Sequence, residues 1–181
     1  MKLLVLQVTA LAAVLAAAPA APQTRLRAPD VKFVASPQSV VDAMLELARV
    51  TAADVVYDLG SGDGRIVITA AKKYGARGVG VEIDPALVIK ANENAAAAGV
   101  SDRVRFLTQN LFTADVSEAT VLCLYLQDFA YEVLKDKLLR EVKPGARIVS
   151  HDFAFPGWPP EKIDIVRSGP MRASYIFLWR T

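Results

Sequence analysis

The sequence predicts an α/β fold: a doubly wound, mostly parallel sheet of seven strands with an antiparallel pair at its C-terminal end. Three observations carry this. Short apolar runs alternate with helix-length segments, as in a parallel sheet assembled from strand–helix–strand units. A glycine-rich turn, Gly60-Ser61-Gly62-Asp63-Gly64, joins the first run to the helix after it. In open sheets of this kind ligands bind outside the carboxyl ends of the strands, where such a turn lies. Two late runs, Ile163–Arg167 and Ser174–Trp179, have no helix-sized segment between them and fit an antiparallel pair.

Taken in order, the domain spans residues 37–181. Val40, Val41, Met44, Leu45 and Ala48 follow helical spacing. Val55–Gly60 reads as a buried strand, and Ile66–Tyr74 as a helix stopped at Gly75. Gly78–Ile83 is the second strand. Pro85 opens a helix that runs to Ala98 and stops at Gly99, with proline in the first turn and glycine just past the last. Val104–Gln109 and Thr120–Leu126 are strands, Tyr131–Val142 a helix closed by Lys143-Pro144-Gly145, and Arg147–Phe153 the fifth strand.

Ahead of the domain, residues 1–22 resemble a signal peptide or a membrane anchor. Lys2 precedes an apolar run, Leu3–Ala18, broken only by Gln7 and Thr9, and small residues with prolines follow it. Arg25, Arg27 and Lys32 outweigh Lys2, so a retained anchor would keep the domain cytoplasmic at the inner membrane. Cleavage near Ala20-Ala21 would instead send it to the periplasm or outside. Residues 23–36 read as a linker.

Composition excludes several classes. The 181 residues contain one His and one Cys, too few for a zinc or iron–sulfur centre and for any disulfide within the chain. No metal site is expected, and Cys123 sits in an apolar strand, buried and inert. The net charge of +2 offers no field for collecting nucleic-acid phosphates, and no nucleic-acid partner is expected. The mean hydropathy of +0.30 owes much to the N-terminal run.

The glycine turn is preceded by Asp58 and its spacing is G-x-G-x-G, with Arg65 where a dinucleotide fingerprint has its third glycine. Glu82, at the end of the second strand, stands where a carboxylate would accept from both ribose hydroxyls and repel a 2′-phosphate. Together these point to an adenosine-containing ligand and away from a nicotinamide oxidoreductase.

The stretch VYDLGSGDGRIVITAAKKYGARGVGVEID resembles the core of class I, seven-β-strand, Rossmann-like S-adenosylmethionine-dependent methyltransferases. LYLQDF and VKPGARIVSHDF resemble the small bacterial and mitochondrial lysine methyltransferases, which include those acting on the adenine nucleotide translocase and the ATP synthase c subunit. The resemblance implies S-adenosyl-L-methionine as cofactor. It places Asp58, Gly60, Gly62 and Gly64 at the methionine part, Glu82 at the ribose, and Asn110 at the adenine, where many relatives have Asp, with Ser61 and Ile83 also among the cofactor-binding residues. Asp63 is open between a first-turn helix charge and a contact to the cofactor's amine.

Methyl transfer to lysine also needs a group to orient or deprotonate the amine. The candidates are Asp128, His151 and Asp152, with Gln127 beside them. Asp128 could equally be a helix cap and His151 a hydrogen-bonded histidine at the sheet end. Adjacent strand residues face opposite sides, so His151 and Asp152 cannot both face the cleft from a regular strand. Tyr125, Phe129, Phe153 and Trp158 could desolvate an amine or belong to the core. The Asn-Pro-Pro-aromatic motif of adenine-N6 and glutamine methyltransferases is absent, and no separate lid is evident. The expected substrate is therefore a lysine of a membrane-associated protein, reached with possible membrane association through residues 3–18. A small-molecule N-, O- or S-methyltransferase, or a non-catalytic S-adenosylmethionine-binding protein, are the alternatives.

Overall fold

The computed structural model describes residues 33–169 and 171–181. The apolar run at 3–18 and residues 23–32 of the linker lie outside them. Among the described residues no helix is long and apolar enough to cross a membrane.

The described chain forms α1 (Gln38–Leu47), β1 (Val55–Leu59), α2 (Arg65–Tyr74), β2 (Arg77–Glu82), α3 (Pro85–Ala98), β3 (Val104–Thr108), β4 (Val121–Leu124), α4 (Asp128–Glu141), β5 (Arg147–His151), β6 (Lys162–Gly169) and β7 (Arg172–Arg180). The strands make one seven-stranded sheet in the order β3-β2-β1-β4-β5-β7-β6. The first five are parallel, and β7 runs antiparallel to both β5 and β6. Strand order reverses between β1 and β4, which opens a crevice above their carboxyl ends.

Two differences from the sequence expectation reshape the acceptor end. β5 stops at His151 because Asp152 takes a left-handed backbone, φ 61°, which a regular strand cannot contain. α4 begins at Asp128, three residues before Tyr131, because Gln127 holds the extended backbone of an N-cap. Apolar periodicity alone could not place that start, since Phe129 is exposed.

Both sheet faces are covered, so β1 and β4 are buried along their length, as a parallel sheet requires. On one face Val56, Val121, Cys123, Val149 and Ile176 pack under α1 and α2. On the other, Tyr57, Leu59, Leu122, Leu124 and Ile148 pack with Tyr131, Leu134 and Leu138 of α4. Among the described residues no helix follows β5. Phe155 and Trp158 fill that place, Phe155 lying edge-on to Trp179 at 5.0 Å, with the Trp179 indole donating to the Trp158 carbonyl at 2.9 Å. Each such buried side chain contributes on the order of 1.5–3 kcal/mol.

Candidate active site

The glycine turn is built by backbone geometry. Gly60, Gly62 and Gly64 have φ of 87°, 51° and 80°, left-handed values that side chains other than glycine adopt at a cost. The amides of Gly60 and Ser61 donate to the Val81 carbonyl at 2.8 and 3.0 Å, pinning the turn to β2. Glu82 completes the clamp: Oε2 accepts from the Gly62 amide at 2.9 Å, and Oε1 from the amides of Ile83 and Asp84 at 2.7 and 2.9 Å. Its carboxylate is thus fixed at the wall of the crevice, with one acceptor site, on Oε2, not taken by these amides. Asp84 caps α3 by accepting from Ala86 at 2.8 Å.

Asp58 lies beneath the turn, 3% exposed. Burial, with the nearby charges of Glu82 and Asp63, pushes its pKa up to about 8. Among the described residues no basic side chain forms an ion pair with it. Burial also works against Asp63, but the Arg65 guanidinium more than offsets this and holds Asp63 below the usual carboxylate value. Arg65 Nε and Nη2 donate to it at 2.9 and 2.6 Å. Of the two roles open to Asp63, the structure shows a carboxylate engaged by the side chain that starts α2.

Above these groups lies a cavity of about 610 Å³, within the usual range for small-molecule sites. Glu82, Ile83, Asp84 and Leu87 form one wall, Gln109–Phe112 a second, and Tyr125, Leu126, Gln127, Phe129 and Ala130 a third. Asn110 Oδ1 accepts from the Phe112 amide at 2.9 Å, which orients the side-chain amide and leaves one oxygen lone pair for a ligand. Phe33 and Val34 close the remaining side. A smaller recess of about 20 Å³ continues under Phe33–Ser36 toward Asp58, Ser61 and Asp63. The Ser61 hydroxyl is buried there with no protein partner.

These residues fit S-adenosylmethionine. A buried carboxyl held partly protonated by two other carboxylates gains from a cationic neighbour. The site left on Glu82 Oε2 can accept from a ribose hydroxyl, and Ile83 and Leu111 supply apolar walls for a flat base beside Asn110. Asp58, Gly60, Ser61, Gly62, Gly64, Glu82, Ile83 and Asn110 are therefore gathered around one crevice, with Asp63 at its edge.

The acceptor candidates are placed differently. Gln127 lines the cavity, whereas Asp128, His151 and Asp152 do not. Asp128 is the exposed first residue of α4, and the cap position belongs to Gln127. His151 is fully buried behind Tyr125, its ring stacked on the phenol ring at 4.0 Å. The left-handed turn at Asp152 brings its carboxylate within 3.3 Å of His151 Nε2. Asp152 Oδ1 accepts from the Tyr175 amide at 2.8 Å and Oδ2 from Arg172 at 3.0 Å. Tyr125 and Phe129, weighed in the sequence as amine-desolvating or core, line the cavity. Phe33–Ser36, part of the stretch read as linker, lies on the glycine turn. Sequence spacing carried no signal for that contact, which joins segments far apart in the chain.

Comparison with known proteins agrees with this geometry. The family profile described as ANTKMT methyltransferase domain matches residues 58–162. The chain is 46% identical over 144 residues to a protein-lysine N-methyltransferase of Saccharolobus islandicus, covering 79% of this chain and 89% of that one. It is 36% identical over 132 residues to the mouse adenine nucleotide translocase lysine N-methyltransferase, and 33% over 138 residues to the human ATP synthase c-subunit lysine N-methyltransferase. Those matches cover 72% and 76% of this chain but only 57% and 58% of the relatives' own length. Among solved structures, an RNA methyltransferase of Salinibacter ruber bound to S-adenosyl-L-homocysteine superposes with a TM-score of 0.76 at 50% identity, covering 81% of this chain and 93% of that one.

Proposed function

The chain belongs to the ANTKMT methyltransferase domain family of S-adenosylmethionine-dependent methyltransferases, and from that premise we propose that it methylates the side-chain amine of lysine in a protein. The observation that carries the acceptor is the 46% identity, over 79% of this chain and 89% of the relative, to a protein-lysine N-methyltransferase.

S-Adenosylmethionine, when bound, supplies a methyl group on a sulfonium whose sulfur departs as a neutral thioether. The protein holds the partners in line, and positioning of this kind is worth roughly 7–11 kcal/mol of barrier. Glu82 and the glycine turn fix one side, and Tyr125, Gln127 and Phe129 shape the approach from the other. A lysine amine must arrive neutral, which costs about 4–5 kcal/mol at pH 7 for an unperturbed group. Apolar walls at Tyr125, Leu126 and Phe129 favour the neutral amine by withholding water. The lysine ammonium gives up one proton to solvent before attack, and the nitrogen lone pair then forms the new N–C bond as the S–CH₃ bond breaks.

The Salinibacter ruber structure brings RNA forward as a second acceptor. The cavity wall argues for protein: it contains Glu82 and Asp84 and no Lys, Arg or His among the described residues. A wall without a basic side chain offers phosphates no counter-charge. Phe33, Val34 and Phe129 at its rim are 40%, 61% and 49% exposed, which suits docking of a protein surface.

Incubating a lysate with methyl-labelled cofactor and the purified protein tests this. Label is expected in a protein band and in lysine after hydrolysis. Label in RNA or in a soluble metabolite would overturn the lysine reading. For placement, we extend the proposal to a retained N-terminal anchor with the domain in the cytoplasm. The intact mass of the native protein from membrane fractions should then include residues 1–21, and a mass beginning after Ala21 would point to export.

A further inference from the structure

We propose that the strap Phe33–Ser36 is a fourth wall of the cofactor site, and that His151 is its anchor, setting cofactor affinity instead of handling a proton in methyl transfer. The inference rests on S-adenosylmethionine binding and is independent of the acceptor.

The strap touches the residues that hold the cofactor. The Phe33 ring lies so close to Gly62 that a Cβ there would stand 2.0 Å from Cε2. The Ser36 carbonyl accepts from Arg65 Nη1 at 2.9 Å, while the same guanidinium holds Asp63. The recess left between strap and turn is about 20 Å³, room for one water, so strap and glycine turn pack as one unit. The strap also borders the large cavity through Phe33 and Val34. It lies ahead of residues 58–162, the stretch that matches the family profile.

His151 fixes the strap from behind. Its Nδ1 is 2.9 Å from the Ser36 hydroxyl, 115 residues away in sequence. Its Nε2 is 2.9 Å from the Ser174 hydroxyl, which bonds on to Ser168 at 3.0 Å. Burial pushes the imidazole below its ordinary pKa, against the pull of Asp152 and with the push of Arg172. A neutral imidazole has one donor and one acceptor; here Nδ1 faces the Ser36 hydroxyl, and Nε2 faces the Ser174 hydroxyl with the Asp152 carboxylate 3.3 Å away. Tyr125 covers the ring face at 4.0 Å, between His151 and the cavity. No proton or lone pair is left to offer an amine, so His151 is a positioning residue. Histidine, serine and guanidinium together turn a stretch of linker into a wall.

The test measures S-adenosylhomocysteine affinity by calorimetry for Phe33→Ala, Ser36→Ala, His151→Phe and the Ser36→Ala/His151→Phe double variant. Each single change should weaken binding by roughly 5- to 10-fold, the effect of one lost hydrogen bond or packed ring. The double variant should be no weaker than the worse single, because both changes remove the same bond. With methyl transfer as a second readout, the losses should appear in cofactor KM, and the midpoint of the pH–kcat profile should not move. A His151→Phe protein that binds normally but loses kcat by about 100-fold or more would overturn the anchor, as would unchanged affinity in Phe33→Ala and Ser36→Ala. If His151→Phe does not fold, those two variants still decide. Failure of the wild-type protein to bind S-adenosylhomocysteine would instead remove the cofactor reading itself.

Discussion

On the β1–β3 side of the crevice, the site comes from residues 58–64, 82–84 and 110, and the backbone amides of Gly62, Ile83 and Asp84 are held by one carboxylate, Glu82. On the β4–β7 side it is made of side chains gathered from afar. Tyr125 leans on His151, His151 on Ser36 and Ser174, and Asp152 on Arg172. A site made of local backbone tolerates almost no change of residue. A site made of assembled side chains can be retuned one contact at a time, which suits a family whose relatives name different acceptor proteins.

The sharpest way to expose that contrast is Glu82→Gln. A carboxylate accepts at both oxygens, and here both are in use, one toward Gly62 and the other toward Ile83 and Asp84. An amide turned either way sets an NH₂ against a backbone N–H. The expected cost is about 3 kcal/mol, a loss of on the order of 100-fold in S-adenosylhomocysteine affinity by calorimetry. A loss below about 5-fold would mean that the turn holds its shape without the clamp.

Next in size is a pH effect from Asp58. Its folded pKa, about 8, lies above the ordinary 3.8, so near pH 7 the ligand-free protein mostly keeps a proton there. Binding a cationic ligand favours the ionised form. Affinity should therefore rise about tenfold per pH unit from pH 6 toward 7.5 and level off above 8, with proton release seen as a buffer-dependent binding enthalpy. Asp58→Asn should bind weakly and show no such slope. The sign for stability is the reverse. A raised folded pKa means a contribution present below pH 3.8 and lost as pH rises toward 8, so Asp58→Asn should melt higher than wild type at pH 8.

The same contrast explains what could be read from the sequence. The glycine turn, Asp58 and Glu82 form a short pattern because one turn and one strand end build that half, and three positive-φ positions in one turn favour glycine. α3 also matched residue for residue, since Pro85 and Gly99 mark its ends chemically. The other half had no such punctuation. Nothing local announces that Asp152 will take φ 61°, or that α4 starts at Asp128 under an exposed Phe129. Ser36 reads as linker because its partners, His151 and Arg65, are 115 and 29 residues away. Alternation along a regular strand puts His151 and Asp152 on opposite faces. The left-handed residue ended the strand between them and brought both side chains to one place.

Phe129→Ala probes the acceptor half at its rim. The ring lines the cavity mouth and is 49% exposed, in the manner of an aromatic that a partner covers. Truncating such a contact costs about 1 kcal/mol. Steady-state kinetics should show roughly a 5-fold rise in KM for the protein acceptor, with S-adenosylhomocysteine affinity unchanged. A matching loss of cofactor affinity would erase the division between the halves.

The smallest effect should come from Asp128→Ala. Asp128 is exposed at the first position of α4, lines no part of the cavity and does not cap the helix. What it supplies is negative charge at a helix N-terminus, worth about 0.3–1 kcal/mol at low salt. Thermal unfolding should show a small drop that shrinks as salt is added, and kcat/KM for lysine methylation should stay within about 2-fold of wild type. The two measurements together are informative because helix charge and amine activation respond differently to salt. A fall in kcat beyond about 10-fold that salt does not relieve would place Asp128 at the reacting amine. The acceptor half would then reach past Tyr125 and Gln127 onto the outer face of α4, and the cavity wall would no longer mark where the chemistry ends.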